Sequence, residues 1–303
     1  MAILDVKKIL LVTTEGVDSK GAEDTARALA ERFGASVLIA DSIRTPFHLP
    51  ESPVPDTSKI IEIARGVKQA YLDNVAKPFD AQGIPVETRI LTSVRTSQDI
   101  SKLAAAESCD LVIRYAKGEY SKLPGRFGQT ARNLMRLCAK PLLFVSETLP
   151  ADPCVLACIN AEHSADENAA IVQAAKQMVV SPTQLHGLTC WQFNPSWFLA
   201  EDADQPANDI SSEEREEIFD RIRADLGTQF DLALFDDRFL IEQGEPTSLI
   251  PVECDRKHAD VCVMSSVSLN HPLGLQLGSS IEATIDRLSC SLLVVKPYGW
   301  TEP

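Results

Sequence analysis

Short apolar runs alternate along this chain with longer segments in which apolar positions recur every three or four residues. Continuous runs such as KKILLVTT (7–14) and ASVLIADS (35–42) are typical of buried β-strands. Between them, Asp18 or Ser19 can cap a helix, and Gly34 follows it where a helix commonly ends. Its apolar positions, Ala22, Ala26, Leu29, Ala30 and Phe33, follow helical spacing. The chain therefore opens with a strand, a helix and a second strand.

The same alternation continues to the end of the chain. Further strands are predicted at 85–91, 109–116, 140–146, 153–160, 183–191, 238–243, 259–266 and 290–297. Further helices are predicted at 57–81, 96–107, 128–139, 164–180, from Ser211 (a capping box in SSEE) onward, at 246–257 and at 278–289. Each half of the chain thus has the order β-α-β-α-β-α-β-α-β.

The two halves also resemble each other residue by residue. CDLVIRYA matches ADVCVMSS, which places Asp110 and Asp260 150 positions apart, and RNLMRLCAKPLLFV matches EATIDRLSCSLLVV. We therefore predict two duplicated domains, residues 1–150 (the first domain) and 151–303 (the second domain). Alternating strands and helices favour parallel pairing. The predicted fold is α/β: two tandem doubly wound domains, each with a five-stranded, mostly parallel sheet, and ligands at the carboxyl ends of the strands.

The last strand of each domain, KPLLFVS and CSLLVVKP, is apolar over at least four residues. An uncovered apolar edge strand promotes aggregation, so each of these edges needs a partner. The two domains can cover each other within one chain, which predicts an intramolecular pseudo-dimer with an approximate two-fold axis. A homodimer is the alternative assembly.

Charge divides unevenly between the domains. The chain of 303 residues has a formal net charge of −14. The first domain holds 20 Lys+Arg against 18 Asp+Glu, and the second holds 9 against 25, so their net charges are +2 and −16. A chain this acidic does not suit nucleic acid. The sequence has no apolar stretch of membrane-spanning length, and its start, which carries Asp5, does not resemble a signal peptide, so we expect a cytoplasmic protein.

A spaced motif follows the fourth strand of the second domain: Ser265-x2-Ser268-x9-Gly278-Ser279. With the tandem layout, it resembles the universal stress protein family, whose ATP-binding members have G-x2-G-x9-G-[ST] there. The resemblance implies an adenine nucleotide alpha hydrolase-like fold, a role in stress response and ATP as a candidate ligand of the second domain. Gly278, Ser279 and Ser280 would then form an anion site at a helix start, weakened by serine at two glycine positions. Asn160 occupies the place of the family's acidic residue at the end of the first strand.

The first domain departs further from this motif. Its two early glycine positions align with Arg114 and Lys117, and the late one falls at Phe127 or Gly128, so its nucleotide motif is degenerate. Seven basic residues lie in this region: Arg114, Lys117, Lys122, Arg126, Arg132, Arg136 and Lys140. They form either a patch for an anion or acidic partner, such as the acidic second domain, or a solvated face.

Two further ligand-binding candidates lie in the second domain. His163 sits at the strand-to-helix turn after Asn160, and Trp191 opens the aromatic segment 190–200. That segment covers a partly apolar ligand pocket or packs on a neighbouring element. No nucleophile elbow, P-loop or metal-ligand spacing occurs, and the eight cysteines lie mostly in apolar runs, so we predict no catalytic residue and no metal site.

Three hypotheses follow for function. The first is a non-catalytic tandem universal stress protein that senses a small-molecule ligand or protects other components, with no cofactor required. The second is an ATP-binding switch or slow ATPase that uses the second domain. The third is a binder of a partly apolar or nucleotide-sugar-like ligand in that domain.

Overall fold

The computed structural model describes residues 5–14, 19–43, 57–92, 96–116, 127–160, 164–192, 212–266 and 279–296. Within these ranges every predicted strand and helix occurs, and most ends shift by a few residues. The helix predicted from Ser211, whose apolar period runs to Leu234, is shorter than predicted: it ends at Gly227, and a 3-10 segment begins at Leu232. No helix in the described ranges is long and apolar enough to cross a membrane.

Ten strands and eight helices alternate along the described chain. The strands are β1 (Lys8–Val12), β2 (Ser36–Ile43), β3 (Val86–Thr92), β4 (Leu111–Tyr115), β5 (Leu142–Val145), β6 (Val155–Ile159), β7 (Leu185–Trp191), β8 (Phe239–Gln243), β9 (Val261–Ser265) and β10 (Ser291–Val295). The helices are α1 (Lys20–Phe33), α2 (Thr57–Asp80), α3 (Thr96–Ala106), α4 (Gln129–Leu137), α5 (Ala165–Met178), α6 (Ser212–Gly227), α7 (Pro246–Lys257) and α8 (Ser279–Thr284).

Two helix ends show how local chemistry sets the boundaries. Gly34 ends α1 in the left-handed conformation (φ 63°), which glycine adopts without steric cost, as its position predicts. Ser164 and Glu167 form a capping box at the start of α5, a signal that our sequence analysis did not use. The capping box predicted at Ser211 lies outside the described residues.

The last helix is shorter than predicted. The segment 278–289 is predicted as one helix, but α8 ends at Thr284 and continues as a 3-10 turn over Ile285–Arg287. Such a turn commonly tightens a helix end. Here the backbone becomes extended at Leu288 (φ −70°, ψ 132°), three residues before β10 begins.

All ten strands form one sheet in the order β3-β2-β1-β4-β5-β10-β9-β6-β7-β8. Each domain contributes five parallel strands, and the order reads as a palindrome when β5 is matched with β10, β4 with β9 and so on outward. This confirms the predicted pair of doubly wound domains. Helices cover both faces: residues of α1, α2, α5 and α6 belong to one buried apolar cluster and those of α3, α4, α7 and α8 to the other.

The two domains meet through β5 and β10, the only antiparallel pair among the described strands. Leu143 faces Leu293 at the centre, and Phe144 and Leu142 face Leu292 and Val294 on either side. Leu143 and Leu293 are equivalent residues of the two repeats, so an approximate two-fold axis passes between them. The predicted intramolecular pseudo-dimer is therefore confirmed, since one chain covers both of its own apolar edges.

Each domain also caps a helix of the other. The Arg32 guanidinium, from α1, donates to the carbonyl oxygens of Gln177, Met178 and Val179 at the end of α5. Lys296, which follows β10, donates to the carbonyl oxygen of Met135 on α4. Cations near helix carboxyl ends satisfy carbonyls that lack a partner within the helix and interact favourably with its dipole.

Leu143→Ala should lower the free energy of unfolding by about 2–5 kcal/mol, because the Leu143 side chain is fully buried at the centre of the domain junction. Urea unfolding measures the change. Ile63→Ala is the control: this α2 side chain is 69% exposed, so its truncation should change stability by no more than about 0.5 kcal/mol. Equal losses in the two variants would contradict the central role of this pair.

Lys296 should give the folded protein a specific pH dependence, because burial lowers its pKa to about 8. Between pH 8 and about 10.4, the ordinary lysine pKa, the unfolded chain holds a proton that the folded chain has lost. The free energy of unfolding of the wild type should therefore rise relative to that of Lys296→Met, by at most about 1.4 kcal/mol per pH unit. Urea titrations at pH 7.5, 8.5 and 9.5 measure this difference.

Lys102→Met, at an exposed position of α3, controls for the loss of one lysine charge. If the free energies of unfolding of the wild type and Lys296→Met changed in parallel between pH 7.5 and 9.5, burial would not be shifting the protonation of Lys296.

Candidate functional site

Strand pairing fixes which residues of the two domains are equivalent. The β5–β10 pairs lie symmetrically about Leu143 and Leu293, so the two-fold axis matches residues that are 150 positions apart. Val112 pairs with Leu142 and Cys262 with Leu292, so the same offset holds for β4 and β9. The repeated aspartates, Asp110 and Asp260, are separated by the same offset and accept similar hydrogen bonds. The Asp110 carboxylate accepts hydrogen bonds from backbone N–H groups at the start of β1, and the Asp260 carboxylate accepts one from Cys154 before β6.

This offset corrects the predicted motif of the first domain. The prediction that the two early glycine positions align with Arg114 and Lys117 is wrong by one residue. At an offset of 150, the three motif positions of the second domain correspond in sequence to Tyr115, Gly118 and Gly128. Gly128, one of the two alternatives left open, directly precedes α4, as Gly278 directly precedes α8. The first domain therefore carries glycine at two of the three motif positions and the second at one, although Gly118 and Gly278 themselves lie outside the described residues.

A cavity of about 460 Å³ lies in the first domain at the carboxyl ends of β1, β2 and β4. This is where the strand order reverses, between β1 and β4, and where doubly wound proteins bind ligands. Its polar lining consists of Thr13, Thr14, Asp41, Ser42, Lys68, Thr96, Arg114 and Thr130. Its apolar lining consists of Val12, Ile43, Ala64, Val67, Leu91 and Ile100. We call this space the first-domain cavity.

A buried ion pair forms part of the cavity wall. The Lys68 ammonium, from α2, lies 2.7 Å from a carboxylate oxygen of Asp41 near the end of β2, and their side chains are 11% and 3% exposed. The other Asp41 oxygen accepts a hydrogen bond from the backbone N–H of Ser42 at 2.6 Å. Lys68 also lies 5.6 Å from the ring centre of Tyr71, whose pKa is raised by burial. These contacts hold both charged groups in place at the wall.

Arg114 brings a further cation to the cavity from β4. Since Asp41 and Lys68 largely balance each other, the charged lining of the cavity is positive by one. From the sequence, Arg114 is placed at a degenerate glycine position of the motif and in the basic stretch, whereas Asp41 and Lys68 are not predicted. No local signal joins these two, because they lie 27 positions apart on a strand and a helix.

Three of the predicted ligand residues of the second domain lie at the carboxyl ends of neighbouring strands. Asn160 follows β6, and Trp191 and Ser265 end β7 and β9, which flank β6. Ser279 and Ser280 begin α8. His163, Ser268 and Gly278 lie outside the described residues.

Asn160 and Trp191 are both held by neighbouring elements. The buried Asn168 side chain, on α5, bonds to the backbone N–H and carbonyl of Asn160, and its amide also donates to Gln229. The Trp191 ring packs edge-on against Phe219 of α6, with ring centres 6.2 Å apart. Trp191 therefore packs on a neighbouring element, which is one of the two interpretations of the aromatic segment. The rest of the segment, from Phe193, lies outside the described residues.

Three buried polar atoms near these strand ends have no hydrogen-bond partner in the described structure: Thr189 Oγ1, Trp191 Nε1 and Ser266 Oγ. Thr189 and Ser266 are each 1% exposed. Thr189 is the equivalent of Asp41, since the two occupy matching positions on β7 and β2. Duplicated positions thus carry an ion pair in one domain and an unpaired hydroxyl in the other.

Four cysteines of the second domain come together in its core. The Cys158 and Cys262 sulfurs lie 3.5 Å apart, and Cys262 and Cys290 each neighbour Cys254. Burial and the neighbouring thiols raise the pKa values of Cys254, Cys262 and Cys290, which disfavours the reactive thiolate. All eight cysteines are free thiols, and the described residues contain no cluster with the geometry of a metal site.

Two doubly wound domains joined through their last strands, with a cavity where the strand order reverses, define a class of tandem α/β proteins. The chain belongs to the universal stress protein family, whose family model matches it twice, at residues 5–146 and 155–296.

The chain is similar over most of its length to several known proteins. Universal stress protein E of Salmonella typhi is 24% identical over 245 residues, which span 78% of this chain and 76% of that protein. The universal stress protein E homolog of Haemophilus influenzae is 23% identical, over 88% of this chain and 83% of that one. Among solved structures, a functionally unknown protein from Pseudomonas aeruginosa covers 98% of this chain and 94% of its own, with a TM-score of 0.73 and 20% identity. A universal stress protein from Archaeoglobus fulgidus has a TM-score of 0.64 at 15% identity, covering 95% and 98%.

Removing one partner of the buried ion pair should cost more than removing both. Lys68→Met leaves the Asp41 carboxylate buried without its cation and should lower the free energy of unfolding by about 3–5 kcal/mol. Lys68→Met combined with Asp41→Leu should cost less than Lys68→Met alone, because neither charge then remains buried. Urea unfolding of the wild type, both single variants and the double variant measures the coupling. Additive losses would show that the two charges do not depend on each other.

Proposed function

We propose that this tandem universal stress protein acts without catalysis, as a sensor that binds a small anionic ligand in the first-domain cavity. The observation that carries the proposal is the cavity itself: about 460 Å³ at the switch point of a doubly wound domain, within the size range of small-molecule sites. The family relationship supports a ligand-sensing role in stress response.

The chemistry of the lining indicates the class of ligand. Arg114 adds a cation beside the balanced Asp41–Lys68 pair, and Thr13, Thr14 and Thr130 place hydroxyl groups on the same wall. Guanidinium and hydroxyl groups bind phosphate and carboxylate oxygens, whereas Val12, Ile43 and Ile100 offer apolar contact to a ring or chain. The glycines at two motif positions, Gly118 and Gly128, favour a nucleotide or another phosphorylated molecule among these anions.

Arg114→Gln should weaken ligand binding by roughly 10- to 100-fold, the range for losing one charge-assisted hydrogen bond. Native mass spectrometry of freshly purified protein shows whether a ligand is retained, and calorimetry with ATP and magnesium, ADP and inorganic phosphate gives affinities. Arg221→Gln, an exposed position on α6, is the matched control and should bind as the wild type does. If no probe bound at millimolar concentration and no ligand were retained, the proposal would fail.

A second candidate places the ligand in the second domain, as an ATP-type switch or as a site for a partly apolar or nucleotide-sugar-like molecule. The unpaired polar atoms of Thr189, Trp191 and Ser266 favour it, since buried polar groups normally have partners and a bound ligand can supply them. Ser265, the first position of the sequence motif, and Asn160 follow or end the neighbouring strands β9 and β6 of that domain.

The two sites are distinguished by one comparison. Trp191→Ala should leave binding unchanged if the ligand occupies the first-domain cavity and weaken it if the ligand occupies the second domain. If Trp191→Ala weakened binding and Arg114→Gln left it unchanged, the proposed site would move from the first domain to the second. Hydrolysis of ATP by the wild type, lost in Trp191→Ala, would support the ATP switch over a passive sensor.

A further inference from the structure

Helix α4 meets α8 and the 3-10 turn that follows it beside the β5–β10 junction, and every ion pair described between these segments has the same polarity. Arg132 lies 2.6 Å from Asp286 and 3.9 Å from Glu282, and Arg136 lies 2.8 Å from Glu282. Both cations come from the first domain and both carboxylates from the second. We call these four residues the charged seam.

The residues of the charged seam occupy equivalent positions in the two repeats. At the offset of 150 set by the strand pairing, Arg132 corresponds to Glu282 and Arg136 to Asp286. The approximate two-fold axis therefore exchanges each arginine with a carboxylate. Two matching positions in a duplicated fold have acquired opposite charge.

This reversal has a consequence for pairing between like domains. In a symmetric pair of first domains, the Arg132–Asp286 contact would become Arg132 against Arg136, and the Arg132–Glu282 contact would set Arg132 against its own copy. A symmetric pair of second domains would likewise oppose four carboxylates. Like charges in contact across an interface disfavour that pairing and are a common means of specificity.

We propose that the charged seam is a partner-selecting surface: it admits the unlike domain of this chain and rejects a second copy of either domain. The apolar strands offer little basis for this choice, because Leu142 and Leu143 match Leu292 and Leu293, and the third paired position is apolar in both strands (Phe144 and Val294). The seam also gives a function to part of the basic stretch, and it follows the overall division of charge between the domains.

Substitutions in the full chain can reproduce the like-charged contacts of each symmetric pair of domains. Arg132→Glu with Arg136→Asp gives the acidic seam of two second domains, and Glu282→Arg with Asp286→Arg gives the basic seam of two first domains. Each should lower the melting temperature at low salt by roughly 3–6 °C. Both should also speed amide hydrogen exchange in β5 and β10, which a change confined to the helices would not do. All four substitutions together reverse the polarity and should restore most of both losses.

Salt gives an independent readout. Because added salt screens repulsion as well as attraction, the melting temperatures of the acidic and basic variants should approach that of the wild type as NaCl rises from 0.05 M to 0.5 M. Lys77→Glu with Lys102→Glu is the control at exposed positions outside the seam, and it lowers the net charge by the same amount as the acidic variant does. It should not alter exchange in β5 or β10.

Two results would overturn the proposal. One is a four-substitution variant that loses as much stability as the acidic and basic variants combined, because complementary charge would then not matter. The other is an acidic or basic variant that behaves as the lysine control does in both melting and exchange. Neither test depends on the ligand, so failure here would leave the proposed sensing function untouched.

Discussion

The antiparallel pairing of β5 with β10 is the interaction on which the rest of the structure depends. Each five-stranded sheet ends in an apolar strand that water cannot cover favourably, and a single domain has nothing of its own to place there. Joining the two edges makes one ten-stranded sheet, buries Leu143 against Leu293 and sets the approximate two-fold axis. That axis brings α4 beside α8 and fixes the offset by which the repeats are compared.

The two domains carry different residues at several equivalent positions, which the two-fold axis identifies. Asp41 with its buried Lys68 corresponds to Thr189, whose hydroxyl has no partner in the described structure, and the arginines of α4 correspond to Glu282 and Asp286. The first difference is the basis of the proposed ligand site, and the second is the basis of the proposed partner selection.

Net charge alone would assign anion binding to the first domain, whereas the sequence motif favours the second. Two observations support our proposal of the first domain: the corrected register gives it glycine at two of the three motif positions, and the cavity of the described residues lies there. Two members of the basic stretch, Arg132 and Arg136, are engaged at the domain junction, while Arg114 lines the cavity. A single run of basic residues thus contributes to two different surfaces.

The sequence by itself determined the strands and helices, the duplication and the pairing of the last strands. These features follow from local periodicity and from apolar edges that must be covered, which adjacent residues encode. Only the tertiary structure decided the motif register, the Asp41–Lys68 pair, the thiol cluster and the partners of Arg132 and Arg136. These depend on residues far apart in the chain, and a one-residue shift that is invisible in a short alignment reassigns a strand position to the opposite face of the sheet.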